Sequence, residues 1–503
     1  MAALTVGATS AVLPPAHAAE AETYALTVRH LDRAGRSTGA YETTVTGISG
    51  PGADRKVKPH GDSGTTTVRL PKGRYMLDSY LFGKVADGAD WIVQPRLDLD
   101  RNTTVTVDAR TTARVDVRPP DRSADFLQGA MFVEVTHGGT TRFANRLTGT
   151  GNLRVAHLGP AAEPGSVRQS YNAYWTTGTA TYALGHTATG ARALTGLTRR
   201  PAAKDLGTIR VRGAARPGTG GRASVDLQPS TGPAIGAARR MPVPGTTTFF
   251  VAPERGPWDV TYWAPTAPGE PANRYSAARV AVRAGATTTL AFDHAVFGPA
   301  LTGRHGVTRN GDRLAVDVPL LADGGGHVPS APAYDTASTT LYREGKVVGT
   351  RSGAPGRAAF TVPPGRAAYR LTSTAQRKGA AGTATRVTAS WTFTSGRTAG
   401  TAPVPVSVVR FSPRIGPDGT AAAGSELRVP VTVMGAAAGG HTRSPKVSVS
   451  MDGGTSWTRV PVEDGAVTVR NPRAGTGVSL RAELTDTAGN TLTQTLVDAY
   501  RTK

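Results

Sequence analysis

Apolar and polar residues alternate one for one over short runs along most of this chain, the period of a strand with one buried face. Residues 24–29 (YALTVR) read as a strand that ends on the turn Asp32-Arg33-Ala34-Gly35. Residues 65–70 (TTTVRL) lead into Pro71-Lys72-Gly73-Arg74-Tyr75 and return through 76–80 (MLDSY), and 103–108 (TTVTVD) follow as a further strand. The Pro-Lys-Gly turn reverses the chain, and Tyr75 anchors the returning strand in a core. A related pattern recurs. Residues 246–253 (TTTFFVAP) run through Trp258 to 260–263 (VTYW), and 285–292 (GATTTLAF) echo 102–107. A third version is 359–365 (AFTVPPG) followed by Tyr369. The recurrence has no fixed period, which favours separate sandwiches built on similar hairpins over a solenoid. No long stretch has apolar residues at helical spacing.

Length adds a domain count. At roughly 100–200 residues per domain, 503 residues make about three to five. Pro119-Pro120, residues 199–204 (RRPAAK) and residues 396–403 (GRTAGTAP) read as joints between strand-rich blocks. The expectation is an all-β chain of several tandem β-sandwich domains. Residues 20–118 resemble a transthyretin-like or carboxypeptidase-regulatory-like sandwich, on the D-x-x-G turn and the P-x-G-x-Y return. Residues 119–300 form one large or two small sandwiches, and 301–400 another. Residues 401–503 resemble an immunoglobulin-like domain, because they end on a strand, an Asp486-x-x-Gly489-Asn490 turn and a strand.

Composition narrows the chemistry. The chain has no cysteine, so disulfides, zinc–thiolate sites, iron–sulfur clusters and cysteine nucleophiles are excluded. Its net charge is +22, which draws polyanions. Arginine is spread along the whole chain, with no run of five or six basic residues and no basic helix with interleaved aromatics, so no nucleic-acid partner is expected. Residues 1–19 (MAALTVGATSAVLPPAHAA) resemble the distal part of a secretory signal peptide, with Ala16-His17-Ala18 as the small-x-small cleavage signal. The basic leading region is missing, which places the expected start codon upstream of Met1. No segment reaches the ~18 apolar residues of a membrane span. The mature protein is expected outside the cytoplasm, in solution or associated with the wall.

Catalytic constellations do not assemble. Gly61-Asp62-Ser63-Gly64 mimics the nucleophile segment of chymotrypsin-like proteases, but His60 in the same loop cannot replace a base held by a separate barrel. Gly35-x-Ser37-x-Gly39 lies in a polar loop rather than between a buried strand and a helix. His137-Gly138-Gly139 reads as a hairpin turn. The closest two histidines are eleven residues apart (His294 and His305), so no zinc site is built by local spacing. Asp98-x-Asp100 lacks the glycine and terminal glutamate of an EF-hand loop. No phosphate-binding or dinucleotide fingerprint occurs. No catalytic residue, metal ligand or cofactor site is assigned.

Two groups of residues remain. Ser450, Asp452, Gly454 and Trp457 match the Asp-box pattern S-x-D-x-G-x-[ST]-W, a hairpin turn in which Asp caps backbone N–H groups and Gly takes positive φ. Tyr171, Tyr174 and Trp175, with Trp258, Tyr262 and Trp263, are the candidates for an aromatic surface that contacts glycan, against the default that strand aromatics pack inward.

Residues 24–503 as an ordered set resemble the long region that follows the peptidase domain in secreted subtilisin-like serine peptidases of high-GC Gram-positive bacteria. The segments that carry this are 24–35 (YALTVRHLDRAG), 68–75 (VRLPKGRY), 391–395 (WTFTS), 449–457 (VSMDGGTSW) and 479–500. None of the family's three catalytic contexts, D-[ST]-G, H-G-T-H and G-T-S-M-A, is read as an active-site segment of this chain, so its activity is not implied. The resemblance implies an exported, non-catalytic accessory or scaffold region. Its expected partners are a cell-wall polyanion or glycan, or a secreted peptidase; the other readings are a carbohydrate-binding module and a separated piece of a serine peptidase.

Overall fold

The structure is a computed structural model that describes residues 22–82, 88–214, 221–265, 273–377, 382–442 and 445–503; the leader expected over 1–19 lies outside the described residues. Among these residues the regular structure is β-strand, apart from single 3₁₀ turns such as Ala109–Thr111. The chain divides into two compact units, one of Met1–Arg118, Phe126–Asn172 and His186–Arg200, the other of Pro119–Asp125, Ala173–Gly185 and Pro201–Lys503.

The chain is all-β, a tandem array of β-sandwiches, and the sandwiches share one topology. In the first, the strand Thr23–Leu31 lies between Thr65–Pro71, antiparallel, and Thr103–Asp108, parallel. The facing sheet runs Lys56–Val57, Tyr41–Ser49, Gly73–Phe82, Ala89–Leu99. Counted along the chain, the orders are fourth–first–seventh and third–second–fifth–sixth. The second sandwich repeats them, with Ala113–Val117 between Leu153–His157 and Leu197–Arg199. Its other strands are Asp125–His137, Thr140–Thr148, Val167–Thr176 and Ala180–Gly190, the last two divided between the units. In the third, Gly207–Gly213 lies between Gly245–Val251 and Thr287–Phe292, opposite Ala237–Val243, Gly221–Pro229, Trp258–Trp263 and Arg274–Val280.

The fourth splits its first strand into Gly306–Gly311 and Arg313–Asp317, flanked by Thr398–Val404 and Arg357–Thr361. Its other sheet is Lys346–Ser352, Thr336–Arg343, Ala367–Gln376, Arg386–Ser395. In the fifth sandwich, Ser407–Phe411 takes the seventh strand's place beside Glu426–Gly435, which pairs with Ala466–Arg470 on its other edge. The facing sheet is Thr458–Val460, Lys446–Ser450, Gly477–Thr485, Thr491–Thr502.

Within unit 1, Ala89–Leu99 pairs in parallel with Leu153–His157, so a strand of the second sandwich extends a sheet of the first. Within unit 2, Arg386–Ser395 pairs with Thr491–Thr502. The fourth and fifth sandwiches therefore share a sheet, and Val387, Trp391, Leu492 and Leu496 belong to one continuous core. Trp391 is fully buried and donates from Nε1 to the Ser407 carbonyl at 2.7 Å.

Two expected joints are corrected. Residues 396–403 are mostly the edge strand Thr398–Val404, whose Ala, Thr and Pro content mimics a linker; an edge position tolerates a proline that an inner strand does not. Pro119-Pro120 lies inside the second sandwich, between its first and second strands, so Ala113–Val117 belongs to the second sandwich rather than with residues 20–112. Residues 199–204 do fall between two sandwiches, where a 3₁₀ turn, Ala203–Asp205, leads into Gly207–Gly213. The region 119–300 divides between two sandwiches.

The cores follow the alternation. Ala367–Gln376 buries every second residue, including Tyr369, Leu371 and Ala375. Tyr75 is buried and donates to the Pro71 carbonyl at 2.6 Å, which pins the turn before it. A Cβ at Gly52 would stand 1.8 Å from the Tyr75 hydroxyl, so that position requires glycine. No helix among the described residues is long and apolar enough to cross a membrane.

Candidate functional site

The serines and histidines singled out by motif are held in turns. Gly64 N–H donates to the Gly61 carbonyl at 2.9 Å, closing a surface turn on which Ser63 is exposed. The Ser63 carbonyl accepts from Ser37 Oγ at 2.6 Å, so the two candidate nucleophile loops clip to each other. His60 Nε2 faces Asp62 Oδ1 at 3.4 Å, with both side chains in solvent. Asp62-Ser63-Gly64 does spell the D-S-G context of a subtilisin-like aspartate; here it is that surface turn, between strands of different sheets. Asp32 Oδ1 accepts from Ala34 and Arg36 N–H, and these bonds hold its carboxyl below the usual range. Gly138 and Gly139 have φ of 55° and 79°, the left-handed geometry of a tight hairpin. His137 Nδ1 lies 3.3 Å from Glu163, within an Arg74–Glu163–Asp98 ion-pair group.

Two constellations are assembled from distant residues, and sequence spacing gave no signal of either. In the first sandwich His30 Nε2 meets Thr43 Oγ1 at 2.7 Å, and Thr43 meets Ser79 Oγ at 2.7 Å. This resembles a nucleophile relay, but His30 Nδ1 meets the Gly64 carbonyl at 3.0 Å rather than a carboxylate. His30 and Ser79 are 0 % exposed and Thr43 1 %, so no substrate reaches them. Burial lowers the His30 pKa to about 4, which keeps the imidazole neutral; Tyr41 stacks on it at 3.4 Å.

The second cluster joins the third and fourth sandwiches. The fully buried Asp323 accepts from the N–H groups of Asp293, Gly325 and His327 and lies 3.1 Å from His327 Nδ1. Its carbonyl accepts from Arg410, and Tyr275 donates to Asp293 at 2.6 Å. Asp323 spends its lone pairs on backbone donors and Asp293 accepts from a phenol, which fastens a Gly-rich segment instead of activating a nucleophile. Among the described residues no His/Cys/Asp/Glu group has metal-binding geometry.

The Asp-box residues form a self-contained turn. Ser450 Oγ donates to Asp452 Oδ1 at 2.6 Å and accepts from Gly454 N–H at 2.9 Å. Asp452 also accepts from Thr455 N–H, Ser456 N–H and Ser456 Oγ. Donation from Ser450 and then from Ser456 drives the Asp452 pKa far below its usual value. Trp457 Nε1 closes the turn on the Gly454 carbonyl at 3.0 Å, and the Arg481 guanidinium stacks 4.0 Å from its ring.

The aromatic surface candidates separate by face. Trp258-Val260-Tyr262 alternate inward, and Trp258 and Tyr262 are fully buried in the third core. Tyr171, Tyr174 and Trp175 are also buried, because Val167–Thr176 is covered along nearly its whole length. Tyr174 Oη bonds to the Ile235 carbonyl at 2.7 Å, and desolvation raises the Tyr171 phenol above its usual pKa. These five are corrected from surface to core; each places too much apolar area to leave in water when a facing sheet is available.

Trp263 is the exception. It is half-buried on the outer face of the third sandwich, with Nε1 tied to Asp226 at 2.5 Å and Arg274 5.8 Å from its ring. The register sets Arg240, Ser224, Trp263 and Arg274 in one row across that face, with exposed Arg222 beside it. The indole is fixed by a carboxylate and has one guanidinium over its ring, with further arginines on the same face, an arrangement that can stack on a sugar ring and pair with acidic substituents.

Neither a protein-family model nor a curated protein sequence matches the chain. Among solved structures, Escherichia coli alpha-2-macroglobulin activated by porcine elastase is 9 % identical over 95 % of this chain, with TM-score 0.13. The N-terminal eight immunoglobulin domains of Down Syndrome Cell Adhesion Molecule are 12 % identical over 95 % of the chain, with TM-score 0.14. A tetra-tandem repeat in the extending region of a large adhesion protein is 12 % identical, covers 95 % of this chain and 100 % of its own, and has TM-score 0.13. The chain spans 53 % of the first and 66 % of the second. The strand registers themselves define the sandwiches.

Proposed function

We propose that this chain is an exported, non-catalytic scaffold of tandem β-sandwiches that engages an acidic glycan of the cell wall through the outer face of its third sandwich. The observation that carries the reading is the row Arg240–Ser224–Trp263–Arg274. Its ring is positioned by Asp226, and it stands on a chain of net charge +22. An aromatic ring flanked by cations suits a sugar polymer bearing carboxylate or phosphate better than a neutral one. The placement of Ser37, Ser63, His30 and His137 in turns and core supports a non-catalytic role. The resemblance to the region that follows subtilisin-like peptidase domains supports export and an accessory task.

Retention of the purified protein on isolated high-GC Gram-positive cell walls tests this. The wild type is expected to be retained, and Trp263→Ala to elute at least tenfold more readily with an unchanged melting temperature. Equal retention of both proteins, or none of the wild type, would contradict the reading.

A further inference from the structure

A second place in unit 2 gathers three arginines around a single carboxylate. The fourth sandwich carries a cleft of about 400 Å³ at one end, where Thr394–Pro405 turns from one sheet to the other beside Pro364 and Arg366. Its shape comes from an irregular edge. Arg309 pairs with Ala402 and Gly311 with Thr398, so residues 399–401 stand against Asn310 alone and bow the strand outward. Asn310 Nδ2 holds the bow by donating to Thr401 Oγ1 at 3.0 Å.

Arg309, 1 % exposed, lines the cleft. Its Nε donates to the Gly311 carbonyl at 2.6 Å and its Nη2 to the Pro363 carbonyl at 3.0 Å, while Nη1 is buried with no hydrogen-bond partner. That nitrogen is enclosed, so Arg309 contributes its positive charge to the cleft rather than a hydrogen bond. Arg366 and Arg397, both exposed, complete the cationic lining. The carboxylate beside them is Asp312, which forms ion pairs at 3.6 Å with Arg309 Nη2 and at 3.7 Å with Arg397 Nη1. Three guanidiniums face one carboxylate, an excess of two positive charges.

We propose that this cleft binds a phosphate dianion, free or as the monoester end of a small molecule. A carboxylate offers two oxygens and one charge. A phosphate monoester offers three terminal oxygens and close to two charges at neutral pH, which fits two exposed guanidiniums and the excess charge. Arg309, braced by backbone carbonyls, supplies a fixed positive charge behind the cleft; Arg366 and Arg397 close over the anion from the rim. This site is independent of the Trp263 face.

Isothermal titration of the full chain with inorganic phosphate, and separately with glycerol 1-phosphate, tests the proposal. Saturable one-to-one binding of at least one of them is expected at pH 7.5, and stronger binding of the ester than of phosphate would mark a monoester as the ligand. Acetate is expected to bind at least tenfold more weakly. Arg366→Ala and Arg397→Ala are each expected to weaken binding about tenfold or more, and exposed Arg101→Ala to leave it unchanged. Both rim variants spare Arg309, so they do not depend on a core substitution that could unfold the domain. Absence of saturable binding, or undiminished binding in both rim variants, would overturn the proposal.

Discussion

His30 shows what burial does to an ionisable side chain here. Its folded pKa, about 4, lies below the 6.5 of an unfolded histidine, chiefly through desolvation. The folded state therefore binds fewer protons than the unfolded state between pH 4 and 6.5. The stabilisation is fully present above 6.5 and is lost as pH falls towards 4, on the order of 3 kcal/mol for the full interval. His157 and His294 are shifted in the same direction, also chiefly by burial. The melting temperature of the wild type is expected to fall steeply from pH 6.5 to 4, and His30→Gln to have a shallower slope in scanning calorimetry. Parallel slopes would contradict the assignment. That His30 lies in the core was partly legible, since it alternates with Leu26 and Val28; its contact with Thr43 and Ser79 was not, because it joins three strands. The aromatic candidates teach the same point. Alternation separates Tyr262 from Trp263 but does not say which faces the core, and Tyr171–Trp175 sit in a strand covered on both faces, where alternation carries no signal.

At the scale of elements, turns were more legible than edges. The Asp-box turn was readable because its bonds are local, within eight residues. Gly454 has φ of +89°, and a Cβ there would lie 3.3 Å from the Trp457 ring. Gly454→Ala is expected to cost about 1–2 kcal/mol, measured by denaturant unfolding, and to change Trp457 fluorescence in the native state. An unchanged midpoint and spectrum would show that the turn does not require glycine. The strand Thr398–Val404 was unreadable for the opposite reason. Its partners lie some ninety residues away, and its small, Pro-bearing sequence is that of an edge, which pairs on one side and needs little side-chain packing.

Across the whole molecule, the similar hairpins visible in the sequence belong to a shared sandwich topology. The full repeat was not legible because the connections differ in length and because the fourth sandwich splits its first strand. Where sandwiches share a sheet, they are expected to share stability. Leu496 pairs with Val387 across the fourth and fifth sandwiches and is buried in their common core. Leu496→Ala is expected to cost about 2–5 kcal/mol. It should lower hydrogen-exchange protection in Arg386–Ser395 as well as in Thr491–Thr502. Loss confined to the fifth sandwich would contradict a shared cooperative unit.

The central claim is that the suggestive serines serve the fold and that the molecule acts by binding. Reaction of the purified protein with a fluorophosphonate, read by intact mass, tests it most directly. The account predicts an unmodified mass after prolonged exposure. A stoichiometric adduct that disappears in Ser63→Ala, or in any other single serine variant that remains folded, would contradict it.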